Sequence, residues 1–518
     1  MKTIYWIIGL MCCTMPCFCQ EKWEEYLLQL AENTDGEQDL NNLYDELAFL
    51  SQHPVDLNNA TREELERLPF LSSTQIDNIL TYIAKNGKMQ RIYELRLVPE
   101  LSMDDIELLL PFVYVSAEDA GTEKKPPVSM SRKNMKKYGN HNLLVRWDNS
   151  LNDKEGFAPV DAEELAKNPN KRYLGESFYH SVRYDFQHSN RIRAGFTAEK
   201  DSGEPFFTKA HSGYDAYSGY FLLHNVWKIR TLAAGDYRVS IGQGLILNTE
   251  FSMGKSSQTL NINNKRNADI KPHSSMDEFN YFRGAGGKIS FGKLYLMLFY
   301  SNKPLDATVD SMTNSMTTIK KDGLHRTEND WKKKNVACLQ TIGGSIGWSG
   351  EKFFGGLNLV QCNFDKPLRP DDKPYNRFYF RGAEQLNISL DYQYSLPKVL
   401  LFGEIAMSGN KAFAAVAGVT ANPASYCRMS LLYRYYDKSY QTLLGNAFSE
   451  SSGVQNEKGV YMGIEFQPVG KWRVNAYADF FRFPWLRYGV DAPSGGFDGL
   501  LQLTYTTSRR ANMSLRYR

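Results

Sequence analysis

Leu386-Asn387-Ile388-Ser389-Leu390-Asp391-Tyr392-Gln393 is the stretch whose reading decides the fold. In an extended strand successive side chains point to opposite faces, so Leu386, Ile388, Leu390 and Tyr392 make one face apolar and their neighbours make the other polar. The same period of two recurs at Val182 to Gln187, at Arg473 to Phe480 and at Leu501 to Thr506. Such segments run to about ten residues, the length a tilted strand needs to cross the apolar core of a bilayer. Short turn signals separate them: Ser189-Asn190, Gly292-Lys293, Ser349-Gly350, Pro397-Lys398 and Pro468-Val469-Gly470. Between alternate turns lie longer polar segments, such as Ser252 to Asn280 and Asp306 to Lys332. Short turns at one rim and long loops at the other are the outer-membrane barrel pattern, and the spacing predicts about 16 strands, within a range of about 14 to 18.

A soluble sandwich or propeller also alternates, so other features decide between them. The chain has 518 residues, more than one ordinary soluble domain. Net charge is only +3, which does not mark a nucleic-acid binder, whereas the aromatic content is high, with 31 Tyr and 29 Phe. Tyr-rich strands suit a wall between lipid and water. The final stretch, Met513-Ser-Leu515-Arg-Tyr517-Arg518, is another alternating strand with a near-terminal aromatic. The N-terminus reads as a secretion signal over residues 1–19: Lys2 is the charged region, Ile4 to Met15 the short apolar core, and Cys17-Phe18-Cys19 precedes the cut. Beyond it no apolar run is long enough for a membrane helix, so membrane residence requires a closed barrel. Four of the seven cysteines fall in the signal, leaving Cys338, Cys362 and Cys427, too widely spaced for a disulfide framework or a metal site.

Ahead of the strands the period is helical. Trp23, Tyr26, Leu27 and Leu30, then Leu40, Leu43, Tyr44, Leu47 and Leu50, predict a helical hairpin over 20–54. Capping signals at Thr61, Ser72 and Ser102 predict shorter helices over 55–115, and Asn86-Gly87 a turn. Residues 116–139 lack apolar periodicity and read as a linker, with the barrel over 140–518. The expected fold class is thus α+β and multidomain: an all-α N-terminal domain, then a transmembrane antiparallel barrel.

Val55-Asp-Leu-Asn-Asn-Ala-Thr-Arg-Glu-Glu-Leu-Glu-Arg-Leu-Pro69 resembles the opening of the helix-hairpin-helix domain of competence-type DNA receptors. Val98-Pro99-Glu100-Leu101-Ser102 stands where the second hairpin of that domain falls. A signal, this domain and then a barrel carrying Gly235-Asp-Tyr-Arg-Val-Ser-Ile-Gly-Gln-Gly244 resembles exported helix-hairpin-helix proteins of Bacteroidetes-type bacteria. The resemblance implies DNA-backbone contacts at the two tips, at Phe70, Leu71, Ser72 and Ser73 and at Glu100, Leu101 and Ser102. In the family, glycines let backbone N–H groups approach a phosphate at a helix N-terminus. Both tips here lack those glycines and the lysine that follows, and Asp104, Asp105 and Glu107 would repel phosphate.

Lys255, Lys265, Arg266, Lys271 and Arg283 make the segment after Gly244 basic, which nominates a rim or plug contacting an anionic ligand. Met253-Gly-Lys-Ser256 lacks the first glycine of a phosphate loop. No zinc-protease, serine-hydrolase, EF-hand or mature CxxC motif occurs, so neither an enzyme nor a cofactor is expected. The expected function is transport or scaffolding in the outer membrane, with lipid around the barrel and a periplasmic protein on the helical domain. The competing expectation is DNA uptake. Non-specific DNA affinity comes from phosphates neutralised by Lys and Arg. Arg62, Arg67, Lys85, Lys88, Arg91 and Arg96 are here outweighed by interleaved acids. The isolated domain should therefore bind a labelled duplex no tighter than about 10⁻⁴ M at physiological salt, read by fluorescence anisotropy. Micromolar binding with a clear salt slope would reverse this expectation.

Overall fold

The computed structural model describes residues 22–31, most of 43–116, residue 135, and 139–518 apart from 153, 189–190, 209–211, 251–253, 261, 263–268, 351, 425 and 509–510. The signal and nearly all of the linker lie outside the described residues. The chain divides into two compact units, Met1–Glu118 and Asp119–Arg518.

The first unit is built on short helices: α1 (Lys22–Ala31), α2 (Arg62–Leu65), α3 (Ser73–Asn86) and α4 (Met103–Leu109). One stripe of α1 is buried through Trp23, Tyr26 and Leu27, and one stripe of α3 through Ile76 and Ile79. Gly87 ends α3 in the left-handed region at φ +83°, which costs glycine little. The unit is not purely helical. Val55–Asp56 pairs in parallel with Val113–Tyr114 and ties the two ends of the hairpin segment together. Asp56 reinforces this closure by accepting the Ser116 hydroxyl at 2.8 Å, and Asn58 exchanges hydrogen bonds with the Met89 backbone at 2.8 and 2.9 Å. This strand pair is two residues long, too short to leave a periodicity in sequence.

The second unit is one twenty-strand, mostly antiparallel sheet. Its wall strands are β1 (Asn140–Asp148), β2 (Tyr179–His188), β3 (Ile192–Lys200), β4 (Ala216–Val226), β5 (Ile229–Ser240), β6 (Phe282–Phe291), β7 (Leu294–Leu305), β8 (Ala337–Ser349), β9 (Phe353–Leu368), β10 (Gly382–Leu396), β11 (Val399–Ser408), β12 (Phe413–Ala424), β13 (Cys427–Tyr436), β14 (Glu457–Val469), β15 (Trp472–Phe483), β16 (Ser494–Ser508) and β17 (Ala511–Tyr517). Three short strands, Asp269–Pro272, Ala307–Asp310 and Ser315–Ile319, extend the rim. Consecutive wall strands pair antiparallel with defined register throughout. The strand order is that of a barrel, bringing β17 round beside β1. Among the described residues there are seventeen wall strands, inside the range of about 14 to 18 read from the sequence but odd where an even number is expected. With an odd number, β1 and β17 run in the same direction, and their outward residues, such as Val145 at 57% and Leu515 at 69%, stay exposed. The even-number rule is a regularity of bacterial barrels rather than a steric requirement, so strand counting by parity misses the odd case.

The alternation read from sequence is realised strand by strand. On β7 Tyr295, Met297, Phe299, Ser301 and Lys303 are buried, while Leu294, Leu296, Leu298 and Tyr300 face out. Gly235 on β5 marks one close approach. It has φ +91°, and a Cβ there would lie 2.3 Å from the Gly219 carbonyl oxygen. A left-handed non-glycine residue costs about 1–2 kcal/mol before any clash. Gly235→Ala should therefore lower the stability of the refolded barrel by at least about 2 kcal/mol, read as a lower urea midpoint. An unchanged midpoint would contradict the close-approach argument.

Candidate functional site

The chain leaving β5 does not loop outward. Ile241, Leu245, Ile246 and Leu247 are at most 1% exposed, and the segment runs across the lumen to the opposite wall. A tight turn makes this entry: Gly242 has φ +55° and Gly244 φ +86°. A Cβ at Gly242 would meet the Glu404 carboxyl carbon at 2.7 Å, and one at Gly244 the Asn446 carbonyl oxygen at 2.6 Å. That closeness lets the Gln243 and Leu245 N–H groups donate to Glu404 Oε2 at 2.6 and 3.1 Å. Glu404 sits on β11 and is fully buried. Further along, the Tyr440 hydroxyl donates to the Leu245 carbonyl at 3.0 Å, and the Asn248 N–H to the Leu444 carbonyl at 2.9 Å. The Thr259 carbonyl accepts from Ser430 on β13 at 3.1 Å and Tyr461 on β14 at 2.9 Å. Asn475 on β15 donates to the Ser257 carbonyl at 2.9 Å. A segment rooted on β5 is thus fixed to β11, β13, β14 and β15.

Charge inside the barrel is paired rather than displayed. Arg434 on β13 is fully buried and holds Asp479 on β15 bidentately at 2.8 and 3.0 Å, with Glu457 on its Nε. Lys255, from the crossing segment, contacts Asp479 and Glu450 and lies 3.6 Å from Asp498.

Where the long connections meet, a second polar cluster forms. His325 is 1% exposed, with Nδ1 2.7 Å from Asp215 and Nε2 2.8 Å from Asp306. Burial pulls its pKa down, but the hydrogen bonds it donates to both carboxylates overcome this and push it up to about 9. Lys334 holds Asp215 at 2.6 Å. Burial, together with Asp215 and Asp201, pushes Glu204 up to about 7. Beside this cluster is a cavity of about 120 Å³.

Residues 50–114 match the helix-hairpin-helix motif. No curated protein matches the chain. Among solved structures, the chain is similar to an anion-selective porin from Comamonas acidovorans, with 10% identity over 73% of this chain and 100% of that one and a TM-score of 0.32. It is also similar to OccAB4 of Acinetobacter baumannii, with 10% identity over 72% and 87% and a TM-score of 0.33. OccK2 of Pseudomonas aeruginosa, solved with glucuronate, gives 12% identity over 73% and 89% and a TM-score of 0.34.

Within the helix-hairpin-helix segment the first tip is part of the core. Phe70 and Leu71 are each 7% exposed, and Phe70 packs on Tyr26 and Phe112 with ring centroids 5.9 and 5.5 Å apart. Ser73 opens α3, and Leu101 is half-buried. Ser72, Glu100 and Ser102 lie outside the described residues. Gln75 reaches across to Asp105 at 2.9 Å, linking α3 to α4. The tip residues named from sequence therefore do not assemble into an exposed phosphate cradle among the described residues.

The basic loop residues are not gathered into one anion site either. Lys255 is in the lumen, Lys271 pairs with Glu250 at 3.0 Å, and Arg283 pairs with Asp236 at 2.7 Å. Lys265 and Arg266 lie outside the described residues. Sequence reading places Glu404 in the lumen without its partners and misses Tyr440, Arg434 and His325, because the partners of these three stand 19 to 195 residues away and only the barrel brings them together. Removing one partner of a buried charge cluster leaves the others uncompensated, at a cost of about 3–5 kcal/mol. Arg434→Met should lower unfolding stability by that order in urea denaturation, and Lys171→Met, which removes an exposed pair with Glu164, by less than about 1 kcal/mol. Equal effects would show that the Arg434 cluster is not the fixed point described here.

Proposed function

We propose that this chain is an outer-membrane barrel with a closed lumen that acts as a scaffold, its helical unit serving as a docking module for a periplasmic protein. Membrane residence is supported by the inverted polarity of the wall. Leu357, Leu359, Leu390, Ile405, Leu431 and Tyr433 are exposed on the outer face. Asn358, Asn387, Asp391, Glu404 and Arg434 are buried on the inner one. A contiguous apolar belt of this kind is unfavourable in water and suited to lipid. No described helix is long and apolar enough to cross a membrane. The chain enters β1 at the short-turn rim, which faces the periplasm in bacterial barrels, and this supports a periplasmic location for the helical unit. We propose no catalytic role.

The observation that carries the scaffold reading is the segment from Ile241 to Thr259 crossing the lumen. Transport of solute through an unchanged barrel would have to pass it. DNA uptake is the second reading, favoured by the helix-hairpin-helix match over 50–114 and opposed by the buried Phe70-Leu71 tip.

Purified full-length protein in planar bilayers should show no steady conductance, and deletion of 242–260 should produce one. A steady open current from the unaltered protein would overturn the scaffold reading in favour of a pore. Protease added to intact cells should leave the helical unit uncut, and cleavage there would reverse the assigned orientation.

A further inference from the structure

We infer that Glu278, Asp306 and His325, backed by Glu204 and Asp215, form a site for one divalent transition cation of the Zn²⁺ or Mn²⁺ type where the long connections converge. The three come from separate stretches: the segment before β6, the residue after β7, and the connection that follows the rim strand Ser315–Ile319. One donor atom from each lies within 4.8 Å of the others, and the same holds for Glu204, Asp215 and His325. Donors bound at about 2.0–2.2 Å to a common ion must fall within that span.

An acidic cluster alone could be a solvated hydrogen-bond network, and partner accounting separates the two. Asp306 is taken by the Asn335 N–H at 2.7 Å and by His325. Asp215 is taken by Lys334 and His325. Glu204 accepts the His325 and Asp201 N–H groups at 2.7 and 2.8 Å. Among the described residues the Glu278 carboxylate has no hydrogen-bond donor and no ion pair, although it sits beside Asp306 and His325.

The cavity next to the cluster gives an independent observation. Thr197 and His273 line it and are 3% and 2% exposed, yet Thr197 Oγ1 and His273 Nδ1 have no partner. Buried polar atoms of this kind are normally satisfied by protein or ordered water. About 120 Å³ holds an ion with a few coordinated waters that would meet both. The imidazole selects the metal class, since Ca²⁺ and Mg²⁺ take oxygen ligands whereas nitrogen with carboxylates suits Zn²⁺ or Mn²⁺. Coordination at His325 Nε2 replaces the proton now shared with Asp306, which passes to solvent. The consequence is a staple joining the β5–β6 connection, through Glu278, to the β7–β8 connection, through Asp306 and His325.

The test uses full-length protein refolded in detergent, stripped with chelator and titrated with Co²⁺ and Zn²⁺. Co²⁺ absorption reports ligation, and metal analysis after gel filtration reports retention. The expected result is one Zn²⁺ per chain, with Glu278→Gln and His325→Gln each weakening it by at least about tenfold. Glu328→Gln, an exposed acid on the same connection, should bind as the unaltered chain does. Heat-modifiable migration checks that each variant is folded. Absence of retained metal in the unaltered protein, unchanged affinity in folded Glu278→Gln, or Ca²⁺ displacing Zn²⁺ at equal concentration would each overturn the site.

Discussion

The structure depends on one buried carboxylate meeting one tight turn. Glu404 is fully buried on β11, and it is held there by the N–H groups of Gln243 and Leu245. A polar group inside a protein is costly unless hydrogen bonds compensate it. Both donors to Oε2 come from a segment rooted on another wall strand, so holding that oxygen and placing the segment across the lumen are the same event. Gly242 and Gly244 make it sterically feasible, because a side chain at either would collide with Glu404 or with Asn446. From that anchor the rest of the crossing follows: Tyr440, Ser430, Tyr461 and Asn475 each supply a donor to a carbonyl of the segment that has no strand to pair with. A polar inner wall is thereby turned into a packed interior without changing the apolar outer face.

The helical unit shows the same economy at a smaller scale. Its backbone follows the helix-hairpin-helix motif, but the first tip is filled by Phe70 and Leu71, which pack against α1 and Phe112. The side chains of this tip serve packing, and neither a glycine nor a lysine stands beside them. A fold can be kept while the residues of a site change, so the motif match by itself assigns no ligand to this unit.

Much of the wall was legible because alternation is a local property. Leu390 and Asp391 announce their faces without reference to any other strand. The helical stripe at Trp23, Tyr26 and Leu27 was legible for the same reason, and so was the resemblance over 55–115. What sequence could not show is contact between distant segments. Ser252 to Asn280 reads as a polar loop because Lys255, Ser257 and Thr259 are polar. They are polar because they meet the inner wall, not because they meet water. The parity of the strand count was also hidden, since nothing in Asn140–Asp148 says which strand lies on its far side. His325 had no neighbour in sequence to mark it, with its partners Asp215 and Glu204 more than a hundred residues away.

Hydrogen exchange of the folded protein in detergent micelles tests the central claim most directly. If the segment crosses the lumen as described, the amides of Gln243, Leu245 and Asn248 will be protected as strongly as those of β11 and β14. Exchange of these three amides at the rate of an open surface loop, with β11 and β14 still protected, would contradict the account.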